Sequence, residues 1–184
     1  AMQGRDIVGI SETGSGKTLA FGAPILEKLQ KSGHVQALVI APTRELAEQI
    51  AGEFRKFGMN KQLKVVSIYG GVSLLPQMEN LRSADIVVGT PGRLLDHMER
   101  RNLNLSKVKF LVLDEADKMV EMGFVEDVER ILSQTPQEKQ MLLFGATITN
   151  EVEGITQRHA KNPEYITAKT NVDEALLEQY YFNV

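Results

Sequence analysis

The stretch DIVGISETGSGKT (residues 6–18) joins a short apolar run to a glycine-rich segment that ends in Gly-Lys-Thr. A strand, a glycine-rich loop and a helix start, in this order, are typical of a phosphate-binding loop. Gly14 and Gly16 can adopt backbone angles that turn N–H groups toward a phosphate, and the helix that follows adds the positive end of its dipole. Lys17 would contact the β- and γ-phosphates of a nucleotide, and Thr18 would offer its hydroxyl to Mg²⁺. The loop therefore predicts nucleotide contacts from Thr13, Gly14, Ser15, Gly16, Lys17 and Thr18.

Apolar runs recur along the whole chain and determine the expected architecture. They are DIVGI (6–10), ALVIA (37–41), KVVSIY (64–69), DIVVG (85–89), KFLVLD (109–114), QMLLFGA (140–146) and EYITA (164–168). These runs are continuous rather than alternating, which is typical of strands buried on both faces of a parallel sheet. Helical patterns lie between most of them, and one such pattern places on a single face Leu46, Ile50, Phe54 and Phe57. The alternation predicts an α/β domain with a doubly wound, mostly parallel sheet and helices on both faces.

Unusual polar motifs follow these runs. SETGSGKT follows the first run, PTRELA the second and TPGR the fourth, while DEAD begins at the end of the fifth and GAT ends the sixth. Ligands of such sheets bind at the carboxyl ends of the strands. We therefore expect the motifs to meet at one edge of the sheet and to form the functional site there.

Asp114 and Glu115 end the buried run KFLVL, where a second group on the magnesium side of a nucleotide site is needed. Asp114 suits the metal, and Glu115 is placed to orient or deprotonate an attacking water. Carboxylates also favour helix starts for electrostatic reasons alone, but the phosphate-binding loop in the same chain favours the catalytic interpretation.

Two further motifs resemble helix starts that carry an arginine. Thr43 is a suitable cap before Arg44, and Thr90 precedes Pro91 at a first helical position. Each motif would aim free N–H groups and an arginine at an anion, which suggests a second, extended polyanion such as a nucleic-acid backbone. Ordinary capping with solvated arginines remains the alternative for either motif alone.

The length, net charge and composition of the chain exclude several classes of protein. The 184 residues are enough for one domain with a real core, and a net charge of −3 excludes nucleic-acid binding by overall basicity. The chain has no cysteine, so it has no disulfide and no thiolate metal site. No signal-peptide layout and no apolar run near the ~20 residues of a membrane span are present. We expect a cytoplasmic monomer without membrane contact.

Taken in order, SETGSGKT, PTRELAEQ, GG, TPGR, DEAD and GAT closely resemble the DEAD-box RNA helicases, from residue 4 to at least residue 163. The resemblance implies the first of two RecA-like domains of an ATP-dependent RNA helicase, with ATP and Mg²⁺ as cofactors. It implies that Lys17 and Thr18 hold ATP and Mg²⁺ and that Asp114 and Glu115 serve Mg²⁺ and hydrolysis. The backbone of a single RNA strand would be contacted, with little sequence specificity, by Pro42, Thr43, Arg44, Gly71, Thr90, Gly92 and Arg93.

The sequence departs from the family pattern in two motifs. Ser11 stands where the family usually has Ala, a small change that should be tolerated. Gly145 replaces the Ser of Ser-Ala-Thr, so a hydroxyl that would bond toward Asp117 is missing. Asp117, Gly145 and Thr147 are the residues expected to couple hydrolysis to strand separation, and this substitution puts that coupling in question.

The chain also looks short for the family. We expect a RecA-like domain over residues 1–170 that lacks an upstream adenine-reading segment, and the start of a connection to a second domain over residues 171–184. Because that second domain would supply the arginine fingers, the chain alone should be nearly inactive.

Four alternative functions fit the sequence less well. A GTPase would need an N-K-x-D motif, but the Asn-Lys pair at residues 60–61 is followed by Gln62 and Leu63. No second substrate pocket or lid arginine suggests a small kinase. A DNA-directed relative is closer, yet PTRELA with DEAD resembles the RNA branch. The intact Lys17 and Asp114 argue against a non-catalytic RNA-binding scaffold.

Overall fold

A computed structural model of the chain describes residues 1–11 and 16–168. Strands and helices alternate as the sequence predicts, and a short 3-10 helix (Met59–Lys61) follows the second α-helix. In chain order the elements are β1 (Ile7–Ile10), α1 (Lys17–Lys28), β2 (Ala37–Ile40), α2 (Arg44–Phe57), β3 (Val65–Ile68), α3 (Leu74–Leu81), β4 (Ile86–Gly89), α4 (Pro91–Glu99), β5 (Phe110–Leu113), α5 (Ala116–Glu121), α6 (Val125–Leu132), β6 (Gln140–Gly145), α7 (Asn150–His159) and β7 (Glu164–Thr167).

The seven strands form one sheet in the order β3-β4-β2-β5-β6-β1-β7, and every neighbouring pair is parallel. Each strand coincides with one of the seven apolar runs, so the predicted doubly wound α/β fold is confirmed. We expected a mostly parallel sheet, and all the strand pairs in the described sheet are parallel. All the strands therefore direct their carboxyl ends to the same edge.

Helices cover both faces of the sheet, and each face has its own core. Helices α1 and α2 bury Phe21, Ile25, Ile50 and Phe54 against one face. Helices α3 to α7 cover the other face, where Leu94 is among the fully buried side chains. Burial on both faces explains why the central strands are continuous apolar runs rather than alternating ones.

The two edge strands differ from this prediction. In β3, Val66 and Ile68 are buried but their neighbours are only partly buried. In β7, Tyr165 and Ile166 are about half exposed, at 51% and 49%. The expectation of burial on both faces was wrong for these strands, because an edge strand has a sheet neighbour on one side only and less helix above and below it.

The buried face of helix α2 overlaps the predicted face but is shifted from it. Ile50 and Phe54 are fully buried as expected, but Phe57 is 45% exposed at the end of the helix. The inward positions are completed by Ala47 and Ala51, which are fully buried. Small residues at these positions let the helix lie close to the sheet, and a pattern of large apolar residues does not reveal them.

The proposed domain end at residue 170 and the connecting segment at 171–184 lie outside the described residues. Within residues 1–11 and 16–168, no helix has the length and apolar character required to span a bilayer.

Candidate functional site

Strand order divides the carboxyl edge of the sheet into two halves. Strands β5, β6 and β1 are neighbours and carry DEAD, GAT and the phosphate-binding loop, whereas β3, β4 and β2 are neighbours and carry GG, TPGR and PTRELA. Four strand spacings separate β4 from β1, which is about 19 Å. The motifs therefore form two adjoining sites on one edge.

The phosphate-binding loop leads from β1 into α1. Thr13, Gly14 and Ser15 lie outside the described residues. Gly16 is the residue that precedes α1, and its φ of +83° lies in the left-handed region that favours glycine. With this conformation the chain turns into the helix, whose first N–H groups have no partner within the helix and can bind an anion.

Lys17 lies at the centre of this half of the edge. Its Nζ donates a hydrogen bond to the carbonyl oxygen of Ser11 at 3.1 Å and lies 4.0 Å from Oδ1 of Asp114. The side chains of Lys17 and Asp114 are only 9% and 3% exposed. Residues from the ends of β1 and β5 thus place a buried ammonium beside a buried carboxylate, at the start of a helix.

The pKa of Asp114 is raised from its ordinary value of 3.8 to about 6, because burial disfavours the charged carboxylate. Lys17 opposes this shift, whereas the charge of Glu115 adds to it. A buried carboxylate that is incompletely compensated is suited to a cation. Among the described residues no cluster of three or more His, Asp or Glu could hold a metal. Asp114 and the Thr18 hydroxyl are the oxygen groups of this site that could hold a cation such as Mg²⁺, which proteins commonly bind together with phosphate and water oxygens.

This raised pKa predicts a pH-dependent stability. Folding raises the pKa of Asp114, so its stabilising contribution is fully present below about pH 4 and is lost as the pH rises through 6. In urea unfolding of residues 1–184, the difference in free energy of unfolding between Asp114→Asn and the wild type should grow in favour of the variant between pH 4 and pH 7. The expected change is on the order of 2 to 3 kcal/mol. Parallel pH profiles for the two proteins would contradict this assignment.

Glu115 is the residue that precedes helix α5, and its φ of +54° is unusual for a residue with a side chain. Its Oε2 accepts a hydrogen bond from Nζ of Lys118 at 2.9 Å, and the Glu115 side chain is only 10% exposed. Left-handed backbone at a non-glycine residue is a strained conformation that often marks a functional position. The carboxylate is next to Asp114, where a base for water would be needed.

Asp117, Gly145 and Thr147 come together as predicted. Oδ2 of Asp117 accepts hydrogen bonds from the backbone N–H groups of Ala146 and Thr147, each at 3.0 Å, and from the Thr147 hydroxyl at 3.3 Å. The backbone N–H of Ser11 donates to the carbonyl of Gly145 at 2.9 Å, which joins this segment to the phosphate-binding loop. The link to Asp117 is therefore made largely by backbone groups, and it does not require the missing serine hydroxyl.

Gly145→Ser should be tolerated in this arrangement. A Cβ at this position would lie 3.1 Å from Oδ1 of Asp117 and 3.0 Å from the Thr147 carbonyl oxygen, so the neighbours must move by a few tenths of an ångström. We expect a loss of stability below about 1 kcal/mol. Because Asp117 already accepts three bonds from this segment, the added hydroxyl should contribute little to stability, which urea unfolding of residues 1–184 would measure.

The matched control is Gly145→Ala, which adds the same Cβ without a hydroxyl. A serine variant that is more stable than the alanine variant by more than about 1.5 kcal/mol would contradict this expectation, because the hydroxyl would then supply a bond that the segment lacks.

The other half of the edge begins with the helix starts predicted from PTRELA and TPGR. Thr43 caps α2, since its Oγ1 accepts the backbone N–H of Leu46 at 3.3 Å. Thr90 precedes α4 with Pro91 at the first helical position, but its side chain makes no capping bond. The Thr90 hydroxyl therefore leaves the first N–H groups of α4 open to another acceptor. Pro42 is buried and Gly92 is exposed.

The Gly70-Gly71 turn lies between β3 and α3 and is tied to α4. Gly71 has a φ of +80°, so the turn uses the conformational freedom of glycine. Nη2 of Arg93 donates to the carbonyl oxygen of Val72 at 3.0 Å. Nη1 of the same guanidinium is buried and has no hydrogen-bond partner among the described residues. A buried donor of this kind is unfavourable unless a ligand accepts from it.

Residues outside the sequence motifs support this half of the edge. The Tyr69 ring lies under Arg44, and buried His97 contacts Gln77. No role was predicted for any histidine, because the three histidines share no ligand spacing. The position of Tyr69 directly before the glycine pair is the one signal that could have revealed it.

Together these features define an α/β nucleotide-binding domain with a phosphate-binding loop. A family model of the DEAD/DEAH box helicases matches residues 1–155, and the chain belongs to this family. An ATP-dependent RNA helicase CshA of Listeria monocytogenes is 48% identical over 183 residues, which cover 98% of this chain and 35% of that protein. An ATP-dependent RNA helicase DeaD of Mycobacterium tuberculosis is 50% identical over 184 residues, which cover 97% of this chain and 33% of that protein.

Solved structures agree with this assignment. The crystal structure of a DEAD box protein from the hyperthermophile Methanococcus jannaschii matches with a TM-score of 0.88 and 44% identity, covering 92% of this chain and 47% of that one. The predicted RecA-like fold is thereby confirmed. The chain spans about a third of the length of the curated relatives described above.

Proposed function

We propose that this chain is the ATP-binding, N-terminal RecA-like domain of an ATP-dependent RNA helicase, which binds a single RNA strand by its backbone and unwinds short duplexes together with a second domain. The observation that carries the proposal is the Lys17 and Asp114 pair. Lys17 is the first residue of α1 and Asp114 directly follows β5, and their buried side chains lie 4.0 Å apart in a chain that belongs to the helicase family. Its relatives are named ATP-dependent RNA helicases, which supports ATP and RNA as the substrates.

On the nucleotide half, Lys17 would leave its contact with Ser11 and bind the β- and γ-phosphates of ATP. Thr18 and Asp114 would hold Mg²⁺, which neutralises phosphate charge when bound. Glu115 would orient the attacking water and accept its proton. Residues 13–15, with Gly16, would cradle the phosphates through backbone N–H groups.

On the half of the edge that is formed by β3, β4 and β2, RNA phosphate oxygens would accept hydrogen bonds from the protein. The unpaired Nη1 of Arg93 and the open helix start at Thr90 suit one phosphate, and Thr43 with Arg44 suits another. Gly71 and Gly92 are exposed and would let the strand approach the backbone closely. These contacts do not read base edges, which predicts little sequence specificity.

A second RecA-like domain would close on both halves of the edge. The relatives are about three times as long as the region that matches, which leaves room for such a domain. We propose domain bounds of 1–170 with a connection beginning at 171–184, in a monomeric cytoplasmic protein. The arginine fingers that complete the hydrolytic site would come from the second domain, and they are typically worth about 10³ to 10⁵ in rate.

The proposal is tested by the ATPase rate of the full-length protein with and without single-stranded RNA. We expect RNA to raise the rate at least tenfold, and Arg93→Ala to reduce that stimulation while leaving ADP affinity within about twofold. Arg82→Ala is a matched control, because Arg82 is exposed at the end of α3 and away from the motifs. An ATPase rate that RNA does not change would contradict the proposed function.

A further inference from the structure

We propose that Tyr69 is a positioning residue, whose ring holds the Arg44 guanidinium in place for an RNA phosphate. This inference rests on the proposed function and names a residue outside the motifs on which that function depends. Tyr69 follows strand β3 and precedes the Gly70-Gly71 turn, so it lies between two of the segments that would contact RNA.

The contact between the two side chains is a cation–π interaction. Cζ of Arg44 lies 4.8 Å from the centre of the Tyr69 ring, within the ~6 Å at which such pairs attract each other. Stacking occupies one face of the guanidinium and leaves its N–H groups at the rim available to an acceptor. Arg44 is exposed, and among the described residues it forms no ion pair with a carboxylate.

The hydroxyl of Tyr69 fixes the outer end of the ring. It donates a hydrogen bond to Oε1 of Glu48 on α2 at 2.8 Å, and the Ser67 hydroxyl donates to the same oxygen at 2.8 Å. The pKa of Glu48 is lowered, because these two hydroxyls and Arg55 outweigh the effect of burial. The acceptor is therefore charged at neutral pH, and the ring is anchored to the helix that carries Arg44.

The backbone of Tyr69 is held by α3, which is in turn bonded to α4. Nε2 of Gln77 on α3 donates to the Tyr69 carbonyl at 3.0 Å, and Oε1 of Gln77 lies 3.0 Å from Nε2 of His97 on α4. His97 is fully buried, and burial lowers its pKa, so the neutral ring donates from Nε2. Tyr69 is thus linked to α2, α3 and α4, which begin at PTRELA, the glycine turn and TPGR.

This arrangement gives Tyr69 a specific effect on binding. A free arginine side chain samples many rotamers, and ordering it on binding opposes affinity. A tyrosine whose hydroxyl is bonded to α2 and whose backbone carbonyl is bonded to α3 restricts Arg44 before RNA arrives. Tyr69 should therefore contribute to RNA affinity only while Arg44 is present.

A double-mutant cycle on the full-length protein tests this coupling. Affinity for a fluorescent oligouridylate is measured at several salt concentrations with a non-hydrolysable ATP analogue. We expect Arg44→Ala to weaken binding about tenfold and to make the salt slope shallower by about 0.7, because the protein then neutralises one RNA phosphate fewer. Tyr69→Leu should weaken binding about two- to fivefold. The double variant should bind like Arg44→Ala alone.

Tyr69→Phe is the conservative variant, since it keeps the ring and removes only the hydroxyl that bonds Glu48; its affinity should lie between those of the wild type and Tyr69→Leu. Tyr69→Leu and Arg44→Ala effects that multiply in the double variant would show that Tyr69 contacts RNA by itself or acts elsewhere, and would overturn the inference while leaving the proposed function intact. An unchanged affinity in Tyr69→Leu would overturn it too. A wild-type protein that does not bind the oligouridylate would overturn both.

Discussion

Lys17→Ala in the full-length protein should bind ADP about 10- to 100-fold more weakly than the wild type. The lysine ammonium is the charge that faces the β-phosphate, and a hydrogen bond to a charged group is worth about 1.5 to 3 kcal/mol. In the described site this ammonium is held between the carbonyl oxygen of Ser11 and the carboxylate of Asp114. Isothermal calorimetry with ADP and Mg²⁺ measures the effect directly.

The control for this variant is Lys31→Ala, which removes an exposed lysine just after α1. Circular dichroism should show that both variants stay folded, since Asp114 can accept a proton when its partner is lost. Undiminished ADP affinity in Lys17→Ala would show that residues 10–18 do not form the nucleotide site.

Glu115→Gln should keep nucleotide affinity within a few-fold of the wild type and slow RNA-stimulated hydrolysis about 10²- to 10⁴-fold, the usual range for a lost general base. Glutamine has the shape of glutamate, and its amide oxygen can still accept the hydrogen bond from Lys118. The variant therefore removes the basic carboxylate while preserving the left-handed backbone turn at the start of α5. Single-turnover hydrolysis and ADP calorimetry separate the two effects.

Glu121→Gln is the matched control, because Glu121 is an exposed glutamate at the end of the same helix. Loss of ATP binding in Glu115→Gln with an unchanged hydrolysis rate per bound ATP would contradict the assigned role. It would instead indicate that Glu115 contributes to the metal or nucleotide contacts.

The element types could be predicted because burial on both faces leaves a simple pattern. Strands such as Ala37–Ile40 and Phe110–Leu113 are wholly buried, and no polar residue interrupts them. The strand order could not be predicted, because it depends on which helix packs on which face. Exposure of Tyr165 and Phe57 was missed for a similar reason, since an apolar residue looks the same in sequence at an edge as in the core.

The motifs predicted most of the candidate site residues, yet their contacts were only partly predictable. Lys17 and Asp114 were expected at one edge, and the structure adds that they face each other across buried space. The bonds from Ala146 and Thr147 to Asp117 come from backbone N–H groups, whose direction depends on loop geometry rather than residue type. Tyr69 was missed because its partners lie on two other elements, α2 and α3.

The division of one sheet edge between ATP and RNA is the central claim, and hydrogen exchange on the full-length protein tests it most directly. A non-hydrolysable ATP analogue with Mg²⁺ should slow exchange in residues 10–18 and 113–118. Adding oligouridylate should then slow exchange in residues 42–46, 70–73 and 90–94, while Arg93→Ala should weaken the second effect and leave the first. Protection by RNA that maps away from these three segments, or the absence of protection by the nucleotide at residues 10–18, would contradict the account.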